Sequence, residues 1–406
     1  MKTHLSAEFD GTHAGEEAQA IIGKCVHCGF CNATCPTYQL LGDELDGPRG
    51  RIYLIKQTLE GGEPTRSTQL HLDRCLTCLN CQTTCPSGVE YGRLVEIGRK
   101  IVDARVERPA AERAARWLLG EGLTSPLFAP ALRVGQALRP LLPAVLKNKI
   151  PPRTKLRAAG ESGHARKVLL LQGCVQPAMM PNIDAATIRV LDAAGIETLR
   201  ASGTGCCGAL RTHVGNPEGG LEDMRRNIDA WMPLISGGTV QAIISSASAC
   251  SLALKEYGRA LSGDAGYADK ASRISALARD LSELLPDLTP ALKTRPLRGV
   301  KRLVFHPPCT LQHGQALRGG VEMHLRSLGF EVSASGENHL CCGSAGTYSI
   351  LQPDLATQLR DRKLKHLTRP EPQTIVSANI GCIQHLQSGT SIPVRHWIEV
   401  LDESLL

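Results

Sequence analysis

Residues Cys25-Val-His-Cys-Gly-Phe-Cys-Asn-Ala-Thr-Cys-Pro36 and Cys75-Leu-Thr-Cys-Leu-Asn-Cys-Gln-Thr-Thr-Cys-Pro86 both spell C-x2-C-x2-C-x3-C-P. Three thiolates at that spacing wrap three irons of one cube, while the fourth, turned away by the proline, reaches a neighbouring cube. Crossed ligation is therefore the expectation. Cys25, Cys28, Cys31 and Cys85 would hold one 4Fe-4S cluster, and Cys75, Cys78, Cys81 and Cys35 a second. C-x2-C pairs also build tetrahedral zinc sites, but two complete quartets with prolines in register argue against zinc.

Between the quartets, Arg51-Ile-Tyr-Leu-Ile-Lys-Gln-Thr-Leu59 shows helical apolar spacing after the Gly47-Pro48 breaker, so the first module reads as helix-rich. Arg49 and Arg51 read first as solvated side chains; the functional alternative is that they tune a cluster or dock a partner.

The chain has sixteen cysteines in 406 residues, and the other eight are patterned too. Val168-Leu-Leu-Leu171 leads to Cys174, and Leu303-Val-Phe305 leads to Cys309. A helix-like run then ends at Gly195 in one copy and Gly329 in the other. Cys206-Cys207-Gly208 and Cys341-Cys342-Gly343 come next, and Ala242-Ile-Ile244 and Thr374-Ile-Val376 precede Cys250 and Cys382. A near-constant offset marks a duplicated unit. Each copy reads as strand, helix, strand, helix, strand, with four cysteines converging at the carboxyl edge of a sheet, where open α/β folds place ligand chemistry. Those thiols could ligate a further cluster, bind zinc, act as a dithiol or simply pack as small hydrophobes. His213, His306, His313 and His339 lie nearby and read as surface or hydrogen-bonded histidines.

The remaining features are quieter. A net charge of +7 without a long basic tract or an aromatic-studded stripe gives no sign of nucleic acid. Aromatic residues are only 3%, so the cores must be aliphatic. No apolar run is long enough to span a bilayer, and Met1 to Asp10 lacks a secretory layout, so the expected location is cytoplasmic and the cysteines read as metal ligands or redox groups rather than disulfides. Arg113 to Lys149, with Trp117-Leu-Leu119, Pro126-Leu-Phe128 and Leu138 to Leu146, reads as short helices packing one module on the next; the alternative is a surface that lies on a membrane. Pro151 to Arg166 and Leu285 to Gly299 read as flexible linkers.

Longer strings carry a resemblance. Val26-His-Cys-Gly-Phe-Cys, the run from Cys35-Pro-Thr-Tyr through Gly47-Pro-Arg-Gly-Arg-Ile-Tyr53, His339-Leu-Cys-Cys-Gly-Ser-Ala-Gly-Thr-Tyr348 and Asn379-Ile-Gly-Cys382 together resemble the iron-sulfur subunits of bacterial glycolate oxidase over nearly the whole chain. The duplicated half looks like the CCG domain of heterodisulfide reductases and their relatives, with one departure. Ala247 and Asn379 stand where that pattern has a fifth cysteine in each unit, which puts the unusual five-cysteine cluster in doubt.

The resemblance implies an α/β multidomain chain: a helix-rich two-cluster ferredoxin module at 1–110, a helical linker at 111–165, and CCG domains at 166–290 and 300–406. It implies an electron-transfer subunit without catalytic residues of its own, with two 4Fe-4S clusters and FAD on partner subunits only. A further cluster is expected at a CCG site, among Cys174, Cys206, Cys207 and Cys250 or Cys309, Cys341, Cys342 and Cys382. The implied partners are flavin-containing glycolate oxidase subunits and the quinone pool, met peripherally on the cytoplasmic face of the inner membrane, with no nucleic acid. Three rivals stand beside this reading: an iron-sulfur subunit of a glycerol-3-phosphate or lactate dehydrogenase, a thiol-disulfide reductase working at the CCG cysteines, and a zinc-stapled scaffold.

Overall fold

The computed structural model describes residues 1–141, 157, 163–292 and 299–405. The N-terminal module is helical, and local chemistry sets where its helices begin. Thr12 caps His13–Gly23 by accepting from the Gly15 amide, Thr65 and Thr68 form a reciprocal capping box on Arg66–Asp73, and Pro48 starts Pro48–Leu59 in the turn where a missing N–H does no harm. The core is aliphatic, built on Ile22, Ile55, Leu59, Leu72, Leu94 and Val102. In Tyr91–Arg105, Gly98 lets the helix Pro48–Leu59 approach closely: a Cβ there would sit 2.5 Å from Ile55 Cγ1.

The duplicated half forms two four-stranded parallel sheets. The first contains β1 (Arg166–Leu170), β2 (Ile196–Leu199), β3 (Val240–Ser245) and β4 (Ala278–Asp280), in spatial order β2-β1-β3-β4. The second contains β5 (Arg302–His306), β6 (Glu331–Ser333), β7 (Thr374–Ser377) and β8 (Val394–His396), in order β6-β5-β7-β8. The same pairing recurs in both, with Leu170 beside Ile244 and Phe305 beside Val376.

Two expectations need correction. The fourth strand of each sheet was not anticipated; both are three residues long and too short to show a period, although each runs into a capping box, Asp280 with Glu283 and His396 with Glu399. Leu285 to Gly299 is not a flexible linker throughout. Leu285–Leu292 is a helix that buries Leu285, Leu288 and Leu292, and 293–298 lie outside the described residues. The Pro151 to Arg166 linker also lies largely outside them, with Arg166 opening β1.

The two sheets share one apolar core, running from Val168 and Leu170 to Val376 and Leu401. Polar ties cross between the copies. The Ser248 amide donates to Ala378 O at 2.9 Å, His396 Nε2 lies 2.8 Å from Ser246 O, and Arg189 clamps Asp402 through two bonds of 2.9 and 2.7 Å.

The segment after the first module forms Ala110–Thr124 and Phe128–Leu138; 142–146 of the anticipated apolar stretch lie outside the described residues. One face does pack the modules together, with Gly120 buried against Val214 and Glu121 paired to Arg211 at 2.8 Å. The other face is bare: Trp117 is 67% and Leu127 74% exposed, and Leu118 and Val134 are exposed beside them. No helix among the described residues is long and apolar enough to cross a membrane.

Candidate metal centres

Each N-terminal quartet is shaped by its backbone. His27 and Gly29 in the first, and Thr77 and Leu79 in the second, have positive φ of 58°, 81°, 49° and 62°. Left-handed residues placed between right-handed ones curl the chain into a concavity lined by amides, the arrangement that many iron-sulfur sites use. The Thr77 amide donates to Cys75 Sγ at 3.4 Å. Only Gly29 advertises this conformation in the sequence; the other three are uncommon for side-chain-bearing residues and persist because their surroundings hold them.

Cys25, Cys28, Cys31 and Cys85 line one hollow together with Pro48 and Arg49. Cys35, Cys75, Cys78 and Cys81 line a second with Arg51 and Tyr91, and Cys81 borders both. The hollows differ in exposure. Cys28 is exposed and its three neighbours are half-buried, whereas every thiol of the second group is buried. Burial pushes the Cys31 thiol up to about 11, with Cys25 adding to it, and drives Cys78 and Cys81 well above the usual range. Cys75 goes the other way. Its burial is outweighed by the Arg51 and Arg99 guanidiniums, the Thr77 amide and the Tyr91 hydroxyl, which hold it below the ordinary thiol value. Soft sulfur donors packed in fours suit an iron-sulfur cluster, so the residues fit the implied group.

Arg51 corrects the reading of it as a solvated side chain. It is 1% exposed and donates to His71 O at 2.7 Å, to Thr37 Oγ1 at 3.2 Å and to Asp46 Oδ1 at 3.3 Å. Arg49, by contrast, is half-exposed and pairs with Glu44 at 2.5 Å.

In the duplicated half the four cysteines of each copy converge. Cys174 follows β1, Cys206 and Cys207 follow β2, and Cys250 sits in the first turn of Ser248–Lys255 after β3. Cys309, Cys341, Cys342 and Cys382 occupy the matching places around β5, β6 and β7. The glycine after each cysteine pair has a plain cause. Gly208 and Gly343 both have φ 91°, and a Cβ would lie 2.6 Å from Gly220 O or 2.5 Å from Ala356 O. Their amides donate to Cys206 and Cys341 Sγ, each at 3.4 Å. In each copy one sulfur takes hydrogen bonds from two thiols: Cys174 and Cys207 hold Cys206 far below the usual range, and Cys309 and Cys342 do the same for Cys341.

The second copy adjoins the first module. Leu76, Cys78, Cys341, Tyr348 and Leu359 form one buried cluster with Cys309 against it, and the Tyr348 hydroxyl donates to Arg74 O at 3.1 Å. Three of the four histidines match expectation. His213 and His339 are exposed, and buried His313 sits 2.9 Å from Thr83 Oγ1 and 2.8 Å from His339 O. His306 does not. It is 1% exposed, neither ring nitrogen makes a hydrogen bond of normal geometry, and its donor atom lies within 4.8 Å of those of Cys342 and Cys382. Its position, three residues before Cys309 where the first copy has Leu171, was the available signal.

Two paired quartets beside two cysteine-lined sheet edges define a multicentre iron-sulfur protein of the electron-transfer class. The chain matches the family model of a 4Fe-4S dicluster domain over residues 21–89 and that of a cysteine-rich domain over 168–255 and 303–387. It is 53% identical to the glycolate oxidase iron-sulfur subunit of Escherichia coli (strain K12), covering 100% of this chain and 99% of that protein. It is 28% identical to the probable glycolate oxidase iron-sulfur subunit of Bacillus subtilis (strain 168), over 90% of this chain and 88% of that protein. Lactate utilization protein A of Geobacillus thermodenitrificans (strain NG80-2) is 26% identical over 58% of this chain and 98% of its own length. The chain belongs to the glycolate oxidase iron-sulfur subunit family. It carries two 4Fe-4S clusters and serves its oxidoreductase complex as a non-catalytic electron-transfer subunit, with the flavin on other subunits.

Proposed function

We propose that the chain receives electrons from flavin-bearing glycolate oxidase subunits at its exposed Cys28 edge and delivers them towards a membrane quinone. In this reading Cys25, Cys28, Cys31 and Cys85 hold one cluster, and Cys35, Cys75, Cys78 and Cys81 the other. Such clusters, when bound, take and release single electrons, which lets a pair of them divide the two electrons of a reduced flavin. The observation that carries the reading is the step in burial from an open first group to a second group whose four thiols are all buried, with Cys78 packed in one cluster with Cys341.

The chain's own residues supply the rest. Beside Cys28, Val26 and Phe30 are 70% and 60% exposed, an apolar patch suited to a protein partner. Arg51, Arg99 and the Thr77 amide on the Cys75 sulfur favour the more negative state of the second group. Residues 1–110 form the receiving module, with α/β units at 166–290 and 300–406. The bare apolar face of Trp117, Leu118, Leu127 and Val134, with Arg133 beside it, suits a peripheral stay on the cytoplasmic face of the membrane.

Purified alone, the chain should show cluster absorption and no glycolate oxidation; turnover without flavin subunits would sink the proposal. In the native complex, assayed on glycolate, lactate and glycerol 3-phosphate, glycolate should be the preferred substrate. Replacing Val26 and Phe30 together by Asp should slow reduction of the chain by its flavin partners at least tenfold and leave its iron content unchanged.

A further inference from the structure

We infer that His306 is a metal ligand: the second copy binds an iron-sulfur centre through one imidazole nitrogen as well as through thiolates from Cys309, Cys341, Cys342 and Cys382, whereas the first copy offers thiolates alone. The inference rests on the electron-relay reading and deepens it.

Buried polar atoms are almost always paired, yet His306 has no oxygen or nitrogen partner, and the neighbour within its reach is the sulfur of Cys382, itself a metal-ligating atom. The other histidines of the second copy that are equally sealed have oxygen or nitrogen partners. His313 lies between Thr83 Oγ1 and His339 O, and His396 accepts from the Ile398 amide at 3.1 Å through Nδ1 and meets Ser246 O through Nε2. His306 ends β5 with its ring turned to the sulfurs, its donor atom within 4.8 Å of those of Cys342 and Cys382. Neutral imidazole and thiolate are both ligands that iron accepts.

The scaffold does not require a histidine at this point. Leu171 precedes Cys174 by the same three residues, and packs in an apolar cluster with Cys207 as its neighbour. Nearby charge differs between the copies in the same sense. Lys363 is 2% exposed, donates to Glu337 O at 2.6 Å and stands within electrostatic reach of Cys341 and Cys342, whereas in the first copy Arg226, which lies against Gly205 beside Cys206, is paired with the carboxylate of Asp223. A neutral ligand in addition to thiolates, with a cation close by, favours the electron-richer state of a centre. The second copy, packed against Cys78, is thus the place where electrons collect before leaving the chain.

The test uses the full chain, purified without oxygen, as wild type and as His306→Leu and His306→Cys. The readouts are iron, sulfide and zinc per chain, redox titration, and pulsed electron paramagnetic resonance on protein carrying 15N-histidine. The expected result is a directly bound histidine nitrogen in the wild type that vanishes in both variants. His306→Cys should keep its iron and titrate at lower potential, and His306→Leu should lose iron from this centre, while the two N-terminal signals stay unchanged. A wild-type spectrum with no bound nitrogen, zinc in place of iron at this site, or a His306→Leu protein with unaltered iron and potential would each overturn the assignment. If the N-terminal signals are also missing from the wild type, the relay reading fails first and the assignment falls with it.

Discussion

Arg51 places a permanent positive charge beneath the sealed cysteine group, and that is tolerable because its fork is occupied by the His71 carbonyl, Thr37 and Asp46. A lysine would keep the charge but could not reach all three partners. Arg51→Lys should therefore lower unfolding stability by about 2–3 kcal/mol, read by denaturant titration of the holoprotein. His396 titrates in the opposite sense to a paired cation. Burial pushes its pKa from 6.5 down to about 4 despite the bond to Ser246 O, so the folded protein keeps it neutral. Between those values the unfolded chain binds the extra proton. Stability is then lost as pH falls from 6.5 towards 4, by up to about 1.4 kcal/mol per pH unit from this residue. His396→Asn, which can still cap Trp397–Ser404, should be less stable at pH 7 but show a shallower decline to pH 5. At this scale the two groupings of N-terminal cysteines were legible because three members of each follow one another along a local loop and the fourth is set apart by its proline, and the hollows are lined in those groupings. Arg51 and His306 were not, since what distinguishes them is the absence of water, and that arises only when distant segments close over them.

The C-C-G turns are the elements on which the second half depends. Gly343 combines a left-handed backbone with a contact that leaves no room for a methyl group, so Gly343→Ala forces the turn off Ala356 O and displaces both neighbouring sulfurs. We expect a loss of about 1–3 kcal/mol from backbone strain, and metal analysis showing depletion of the second copy with both N-terminal clusters retained. The first three strands of each sheet could be read from their apolar runs and the repeat offset. The fourth could not, because Ala278–Asp280 and Val394–His396 alternate over three residues only. Leu285–Leu292 was obscured by Pro286 and Pro290, which resemble linker punctuation although the leucines at 285, 288 and 292 keep helical spacing into the core.

Over the whole molecule, the repeat predicted two similar units but not their single core, since contacts such as Arg189 with Asp402 join residues 213 positions apart. The order of modules was legible, but the proximity of Cys78 to Cys341 was not. That proximity bears on how the protein is made. Tyr348, which closes over the second quartet by bonding Arg74 O, lies 274 residues downstream of it. At a synthesis rate of roughly 5–20 residues per second, the quartet leaves the ribosome tens of seconds before its cover exists. Cluster donors therefore have a window on the growing chain that shuts when translation ends. In finished apoprotein, supplied with iron and sulfide, the group around exposed Cys28 should fill promptly, whereas the sealed group should wait for local opening. Equal filling rates, followed by absorption and Mössbauer spectroscopy, would count against it. A chain stripped of its clusters by oxidants is on this view easier to replace than to repair.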